Sequence, residues 1–297
     1  MKKFFMTVVA LLTFMVGAAQ LVTVESVTKL DGVLTEKAVI SPKGDFVVVN
    51  AANSLKKVNV ADGAQSVIAN GAGLYNYAVS ADGNCVVFTR PSVDKNNLRR
   101  KALEVVNLAD GKVETLVKPT RRLNAGFSVA NGSVNAVENG KLRTVATGQA
   151  KAVKAPVASI SYGHLQVTVD GKTTTIDPQG RGSYIWPSVS PDGTRVAYWL
   201  VGGGCFTCNL DGSDVKSHGP LRAAVWAGND LLVGQDEVED EHNLVASSIV
   251  ALNVANNEVQ KLTDDSVIAT FPSANLDGSR IAFSTPSGEV YIINLKK

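Results

Sequence analysis

The sequence predicts an all-β protein in which one small sheet is repeated along the chain. Nearly every segment is short, rich in Val, Ile, Thr and aromatic residues, and bounded by Gly, Asp or Asn, a pattern typical of strands and turns. After the first twenty residues, no window has the apolar spacing of an amphipathic helix. A third observation is a recurring hairpin motif: the stretch WPSVSPDGTRVAYW at 186–199 has counterparts at 39–49, 79–89 and 273–285.

The recurring hairpin has a turn that ends on glycine. In the stretch SPDG, proline presets φ, aspartate bonds to its own backbone and glycine accepts a positive φ. The marker glycines are Gly44, Gly83, Gly132, Gly163, Gly193, Gly228 and Gly278. Their spacing averages about 39 residues, which four short strands and their turns would fill. We therefore predict a β-propeller of four-stranded blades, with seven blades favoured by this count and six as the alternative.

The two ends of the chain suggest how such a ring would close. The last unit has three strands, and residues 21–30 form a lone strand before the first unit. We expect this N-terminal strand to become the outer strand of the last blade, because closure protects exposed sheet edges. No linker or low-complexity run divides the chain, so residues 20–297 are predicted to form a single propeller domain.

Residues 1–19 have the features of a signal peptide. Lys2 and Lys3 precede an apolar run at 4–16 and three small residues, which predicts cleavage before Gln20; an uncleaved anchor is the alternative. Cleavage removes both lysines and lowers the formal net charge from +2 to 0. We expect a periplasmic or secreted protein with no lipidation cysteine, no membrane insertion after cleavage and no long-range field for nucleic acid.

The motifs at 186–199, 271–285 and 77–89 resemble the TolB-type β-propeller repeat. Similar repeats occur in the propeller domains of the prolyl oligopeptidase and dipeptidyl peptidase families. The resemblance implies the fold and a protein-interaction role of the TolB class. Two departures limit the resemblance: we expect neither the extra N-terminal α/β domain of TolB proteins, for which about fifteen residues leave no room, nor a hydrolase domain after the propeller.

The sequence contains none of the common catalytic, phosphate-binding or metal-binding motifs. Cys205 and Cys208 lie three apart in a predicted strand, where their side chains would point to opposite faces. We therefore expect all three cysteines to be buried or bystander thiols and assign no metal or cofactor. The histidines, His164, His218 and His242, have no ligand spacing. A propeller enzyme with residues scattered around the pore, a hydrolase or a lyase, stays open as an alternative.

Two oppositely charged segments are predicted on one face of the propeller, in the loops between second and third strands and between blades. The basic patch consists of Arg90, Lys95, Arg99, Arg100, Lys101, Lys118, Arg121 and Arg122. The acidic loop consists of Asp236, Glu237, Glu239, Asp240 and Glu241. Segregated patches can orient a protein partner. Solvated loops are the alternative for both, and a divalent cation for the acidic one.

A set of aromatic residues lies near the starts of the first strands: Tyr75, Tyr77, Tyr184, Trp186 and Phe271. Packing between blades is the expected role, and a platform for a sugar or a peptide is the alternative. The sequence thus predicts an exported, monomeric, non-catalytic propeller that binds a protein or a peptide through its loop-bearing face. A glycan or ion binder and a pore-mouth enzyme are the competing hypotheses.

Overall fold

A computed structural model describes residues 20–130, 132–147, 151–240 and 243–296. Within these ranges the regular secondary structure consists of β-strands. The 26 strands form six sheets, arranged as a β-propeller. The all-β prediction is confirmed. In the same part of the chain we find no helix with the length and hydrophobicity to cross a membrane. The predicted signal peptide, residues 1–19, lies outside the described residues.

The first two sheets that follow the N-terminal strand are four-stranded meanders. The N-terminal strand is β1 (Thr23–Leu34). The first sheet contains β2 (Ala38–Ile40), β3 (Phe46–Ala51), β4 (Ser54–Asn59) and β5 (Gln65–Asn70). The second contains β6 (Tyr75–Val79), β7 (Cys85–Val93), β8 (Arg99–Asn107) and β9 (Val113–Thr120). Strands adjacent in sequence are adjacent in each sheet, which keeps every connection short.

The third sheet has six strands in the order β12-β11-β10-β13-β14-β15. The strands are β10 (Leu123–Ala130), β11 (Ser133–Glu138), β12 (Lys141–Ala146), β13 (Val157–Ser161), β14 (His164–Val169) and β15 (Lys172–Thr175). Its two halves meet where β10 pairs with β13, antiparallel, at Ala125 and Ile160. This segment was expected to form two separate blades.

The remaining three sheets have four strands each. The fourth contains β16 (Tyr184–Val189), β17 (Arg195–Leu200), β18 (Gly204–Asn209) and β19 (Lys216–Ser217). The fifth contains β20 (Arg222–Trp226), β21 (Leu231–Asp240), β22 (Asn243–Asn253) and β23 (Val259–Lys261). The last contains β24 (Thr270–Ala274), β25 (Arg280–Ser284), β26 (Glu289–Lys296) and the N-terminal β1 as its outer strand. β1 pairs with β26 from Thr23 opposite Lys296 to Leu34 opposite Glu289.

The propeller has two distinct ends. The turn end carries the first-hairpin turns: Gly193 N donates to Ser190 O (2.8 Å), and neighbouring turns touch, since Asp192 N donates to Asn229 Oδ1 (3.0 Å). The opposite end, which we call the hairpin end, carries the turns between second and third strands and the connections between sheets. There Val201, in the β17–β18 turn, donates its N–H to Ser183 O (3.0 Å).

The prediction of seven blades is wrong, because the Gly163 turn is not a first-hairpin turn. β13 is antiparallel to β10, so it runs opposite to the first strands of the other sheets. Its turn to β14 consequently lies at the hairpin end, where Tyr184 N donates to Gly163 O (3.2 Å). Residues 123–175 supply one sheet instead of two, and the number of sheets is the six that was the alternative.

The core lies between successive sheets. Phe88 packs between the first two sheets, Ile249 and Phe283 between the fifth and the last, and Ile40 and Ile292 between the last and the first. All five are buried. Each sheet therefore depends on its neighbours, because its apolar faces are covered only when the next sheet is in place.

The three cysteines belong to this core. Cys85, Cys205 and Cys208 are free and buried, and Cys205 and Cys208 face different inter-sheet clusters, as strand alternation predicted. Burial raises the pKa of both thiols to about 12, so they are protonated and unreactive at neutral pH.

Candidate functional site

Two long hairpins dominate the hairpin end. β7 and β8 have 9 residues each, and β21 and β22 have 10 and 11. Most of the charged residues that were expected in loops lie in these strands. We call residues 90–102 the basic hairpin and residues 236–248 the acidic hairpin. Glu241 lies outside the described residues.

Part of the basic patch is neutralised internally. Arg90 Nε donates to Glu104 Oε2 (2.8 Å), its Nη1 donates to Asn70 O (3.0 Å), and the guanidinium lies 5.6 Å from the ring centre of Phe88. Arg100 pairs with Asp94 at 2.7 Å across the turn of the basic hairpin. These two arginines therefore stabilise the hairpin and its attachment to the sheet.

The rest of the basic patch keeps its positive charge exposed. Lys95, Arg99, Lys118 and Arg121 are exposed, Lys101 is half-buried, and Arg122 Nη1 donates to Asn139 Oδ1 (3.3 Å). No described carboxylate forms an ion pair with these six side chains. β8 pairs with β9 at Lys101 and Thr120, which places Lys118 and Arg121 beside the basic hairpin. Burial lowers the pKa of Lys101.

Arg222 forms ion pairs with only some of the described carboxylates of the acidic hairpin. Its Nη1 lies 3.0 Å from Glu237 Oε2 and 3.2 Å from Glu239 Oε1. Asp236 and Asp240 are exposed and take no part in this contact. In the described part of the chain, no group of three or more His, Cys, Asp or Glu side chains is arranged to hold a metal ion. Two of the carboxylates thus serve to fix Arg222.

The predicted aromatic residues take two different positions. Tyr184 is buried, its ring centre lies 5.6 Å from that of Tyr198 with the two rings tilted at 54°, and its hydroxyl donates to Gly180 O (2.9 Å), so it belongs to the core. Tyr75 and Trp186 are 44% and 41% exposed, and Tyr77 and Phe271 are half-buried. These four lie on the first strands near the hairpin end.

Trp186 and Phe271 occupy equivalent β-bulges. Their φ angles are 51° and 49°, and each lies at a register shift between the first and second strands of its sheet. Asn76 and Ala223 occupy the matching bulges of two other sheets, with φ of 48° and 50°. A positive φ is uncommon for bulky residues and marks a position to examine for function.

Trp186 connects two sheets at this end of the molecule. Its ring lies 6.2 Å from that of Trp199 and 5.9 Å from the Arg222 guanidinium. Because Arg222 also binds Glu237 and Glu239, one network joins Trp186 to the acidic hairpin. Trp186 therefore takes part in packing between sheets, the role expected for the aromatic residues. Packing covers it only in part, since 41% of the residue stays exposed.

A second network surrounds Lys37, just before β2. The Tyr77 hydroxyl donates to Lys37 O, as does Thr35 Oγ1 (3.0 Å). Burial raises the pKa of Tyr77 to about 12. Lys37 lies seven residues before its marker glycine, the same offset as Trp186 and Phe271. We call Lys37, Tyr77, Trp186, Arg222 and Phe271 the mouth.

The two described histidines, His164 and His218, are each held by hydrogen bonds to neighbouring side chains. His218 is buried, with Nε2 at 2.8 Å from Thr207 Oγ1 and Nδ1 at 2.6 Å from Asn257 Oδ1. His164 Nδ1 lies 2.6 Å from Asp177 Oδ2 at the surface. His242 lies outside the described residues.

Three residues of the hairpin end were not predicted from the sequence: Lys37, Arg222 and Tyr162. The offset from the marker glycine could have revealed Lys37. Arg222 had no signal, because its partners lie 15 and 17 residues away on another strand. Tyr162, in the misassigned Gly163 turn, is 99% exposed at the hairpin end.

Comparisons with known proteins support the fold. No family model matches the sequence, and no curated protein matches it. A chain in the crystal structure of the mitotic checkpoint complex has a TM-score of 0.61 and 12% identity, covering 97% of this chain and 100% of that one. Oligogalacturonate lyase from Vibrio parahaemolyticus has a TM-score of 0.47 and 14% identity, with 86% and 76% covered.

An oligogalacturonate lyase in complex with manganese has a TM-score of 0.48 and 15% identity, covering 88% of this chain and 76% of that one. The TM-scores of the two lyases are too low to support an argument, so we use only the likeness to the checkpoint-complex chain. That likeness concerns the fold alone, and this chain is a β-propeller.

Proposed function

We propose that this chain is an exported, non-catalytic β-propeller of the TolB type that binds a protein or a peptide through its hairpin end. The signal peptide that the sequence predicts in residues 1–19 and the three hairpin motifs that resemble the TolB repeat support the first part of the proposal. The surface of the hairpin end supports the second.

We also propose that the six sheets close into a ring. Contacts between the first and last sheets support closure: Ile40 N donates to Ser273 Oγ (3.1 Å), and Arg280 Nη1 donates to Gly44 O (2.9 Å). The first strands of successive sheets also contact one another, from β2 and β6 through to β24 and β2. A ring gives the hairpin end a central depression lined by the first strands.

The observation that carries the binding proposal is the distribution of exposed aromatic side chains. Tyr75, Tyr162 and Trp186 are the large aromatic side chains that the described surface exposes most, at 44%, 99% and 41%, and all three lie at the hairpin end. Tyrosine, tryptophan and arginine are enriched among the residues that contribute most to protein interfaces. The exposed large apolar residues of the turn end are Leu276 and valines such as Val215.

The charges of the two hairpins would orient the partner. Arg99 and Arg121 expose positive charge on one side, and Asp236 and Asp240 expose negative charge on another. With a formal net charge of 0 after removal of residues 1–19, long-range attraction is weak, and the segregated patches act mainly at close range.

Site-specific photocrosslinking tests the proposal. A photoreactive phenylalanine analogue replaces Tyr162 or Val201 at the hairpin end, or Leu276 or Val215 at the turn end. Val201 and Leu276 form a matched pair, because they are 56% and 54% exposed. We expect defined adducts with a partner from the two hairpin-end positions only, and a lower yield when Arg99→Glu and Arg121→Glu are added.

Two results would contradict the proposal. Adducts of equal yield from Leu276 and Val201 would show that the hairpin end is not the preferred surface. Adducts from the turn-end positions alone would place the interface on the opposite end.

A further inference from the structure

The backbone at Lys37 is held in place by a polar network. Two hydroxyls, from Tyr77 and Thr35, donate to the Lys37 carbonyl. Thr35 is buried, and its hydroxyl lies 3.1 Å from Asn50 O on the neighbouring strand β3. Since Tyr77 comes from the first strand of the next sheet and Thr35 is tied to β3, the backbone at Lys37 is fixed before any ligand arrives.

The charge of Lys37 is left without a counterion. The side chain is exposed, and no described carboxylate, Glu36 included, forms an ion pair with it. Desolvation by the surrounding protein lowers the pKa of Lys37. Lys29 differs, because it is paired with Glu289.

An aromatic residue lies on the adjacent first strand. β2 and β24 are joined by the bond from Ile40 N to Ser273 Oγ (3.1 Å). Phe271 precedes Ser273 by two residues and Lys37 precedes Ile40 by three, so both lie on the hairpin-end side of this bond. The backbone N–H of Phe271 donates to Gln235 Oε1 (2.6 Å), which holds its strained bulge.

The other cation of the mouth is already neutralised. Arg222 contacts two carboxylates, Glu237 and Glu239. An anion entering the mouth would therefore find its uncompensated positive charge at Lys37, next to the first strand that carries Phe271.

We infer that the mouth binds the free C-terminus of a peptide. Lys37 pairs with the terminal carboxylate, and the last side chain, an apolar one, packs against Phe271. A carboxylate supplies the charge-assisted hydrogen bonds that the Lys37 ammonium group lacks here, and an apolar side chain covers the part of Phe271 that the fold leaves exposed. The inference rests on the proposed function for the nature of the ligand, and it names the part of the peptide that is recognised.

The test compares two forms of one peptide. N-acetyl-Ala-Ala-Phe with a free carboxylate and the same peptide with a C-terminal amide are titrated into the mature protein by calorimetry. We expect the acid to bind at least about tenfold more tightly, since a hydrogen bond to a charged group contributes about 1.5–3 kcal/mol. Lys37→Met should remove this preference, and Lys172→Met, on the outer strand β15, should keep it.

Equal binding of acid and amide, or no binding of either at millimolar concentration, would overturn the inference. This comparison uses the unaltered protein, so it holds even if Lys37→Met fails to fold. Partner adducts at Tyr162 and Val201 in the absence of peptide binding would reject recognition of a C-terminus and leave the hairpin end as the interaction surface.

Discussion

Replacing Gly278 by alanine should destabilise the protein more than the same change at Gly83, although both glycines occupy equivalent turns. Their φ angles are 67° and 79°, a region that alanine adopts only with strain. A Cβ added at Gly83 would meet nothing within 4 Å. A Cβ at Gly278 would lie 2.9 Å from the backbone carbonyl of Ala227, in the turn of the preceding sheet.

The expected magnitudes follow from these contacts. The left-handed conformation costs alanine about 1–2 kcal/mol, partly offset by the lower entropy of the unfolded chain, so Gly83→Ala should cost about 1 kcal/mol. At Gly278 the clash is with backbone, and overpacking of this kind adds about 1–3 kcal/mol. Gly44→Ala should fall between the two, because its Cβ would lie 2.6 Å from Arg280 Cδ, part of a flexible side chain.

Equilibrium urea unfolding of the three variants and the unaltered protein measures these differences, provided that the slope with urea is unchanged. We expect Gly83→Ala to destabilise the protein least and Gly278→Ala to destabilise it most, with Gly44→Ala between them. Equal losses for Gly83→Ala and Gly278→Ala would refute the reasoning, because they would mean that the turns of the fifth and last sheets do not touch. The assignment of residues to the two ends would then fail as well.

Two further predictions concern charged and titratable groups. Arg90→Met should lower the free energy of unfolding by about 1–3 kcal/mol, because it leaves the buried carboxylate of Glu104 without its partner; Lys112→Met, which breaks an exposed pair with Glu114, should have no measurable effect in the same urea assay. Burial lowers the pKa of His218 below its usual 6.5, so the folded state binds fewer protons than the unfolded chain, and the stabilisation present above pH 6.5 should be lost as the pH falls. The thermal midpoint of the unaltered protein should decrease more steeply below pH 6.5 than that of His218→Gln, and parallel curves would contradict this assignment.

The sequence was sufficient to predict the hairpins but not the number of sheets that they form. The Ser-x-Asp-Gly pattern encodes a turn through local bonds, and Gly83 N does donate to Ser80 O at 2.8 Å. The Tyr162–Gly163 turn, with φ of 51° and 84°, is an equally good hairpin turn. A two-residue turn carries no information on which end of a sheet it occupies. That is decided by the pairing of β10 with β13, a contact between distant residues.

The sequence was sufficient to identify the two charged segments of the candidate site, but not the strands and ion pairs in which their residues lie. Both charged segments do lie at the hairpin end, yet Arg99 and Glu237 belong to strands. In a projecting two-stranded ribbon both faces meet water, so polar residues carry no signal of where the strand ends. The neutralisation of Glu237 and Glu239 by Arg222 depends on the register of β20 against β21, which local sequence does not specify.

The strained bulges give an independent reason to regard the hairpin end as a binding surface. Gly126 occupies the bulge of the six-stranded sheet with φ of 105°, so a residue without strain can occupy such a position. Trp186 and Phe271 instead place large side chains there, at about 1–2 kcal/mol each. Trp186 packs against Trp199 and Arg222, yet 41% of it remains exposed. Strain of this kind persists where the position has a use, and an exposed aromatic ring gains its contacts when another molecule covers it.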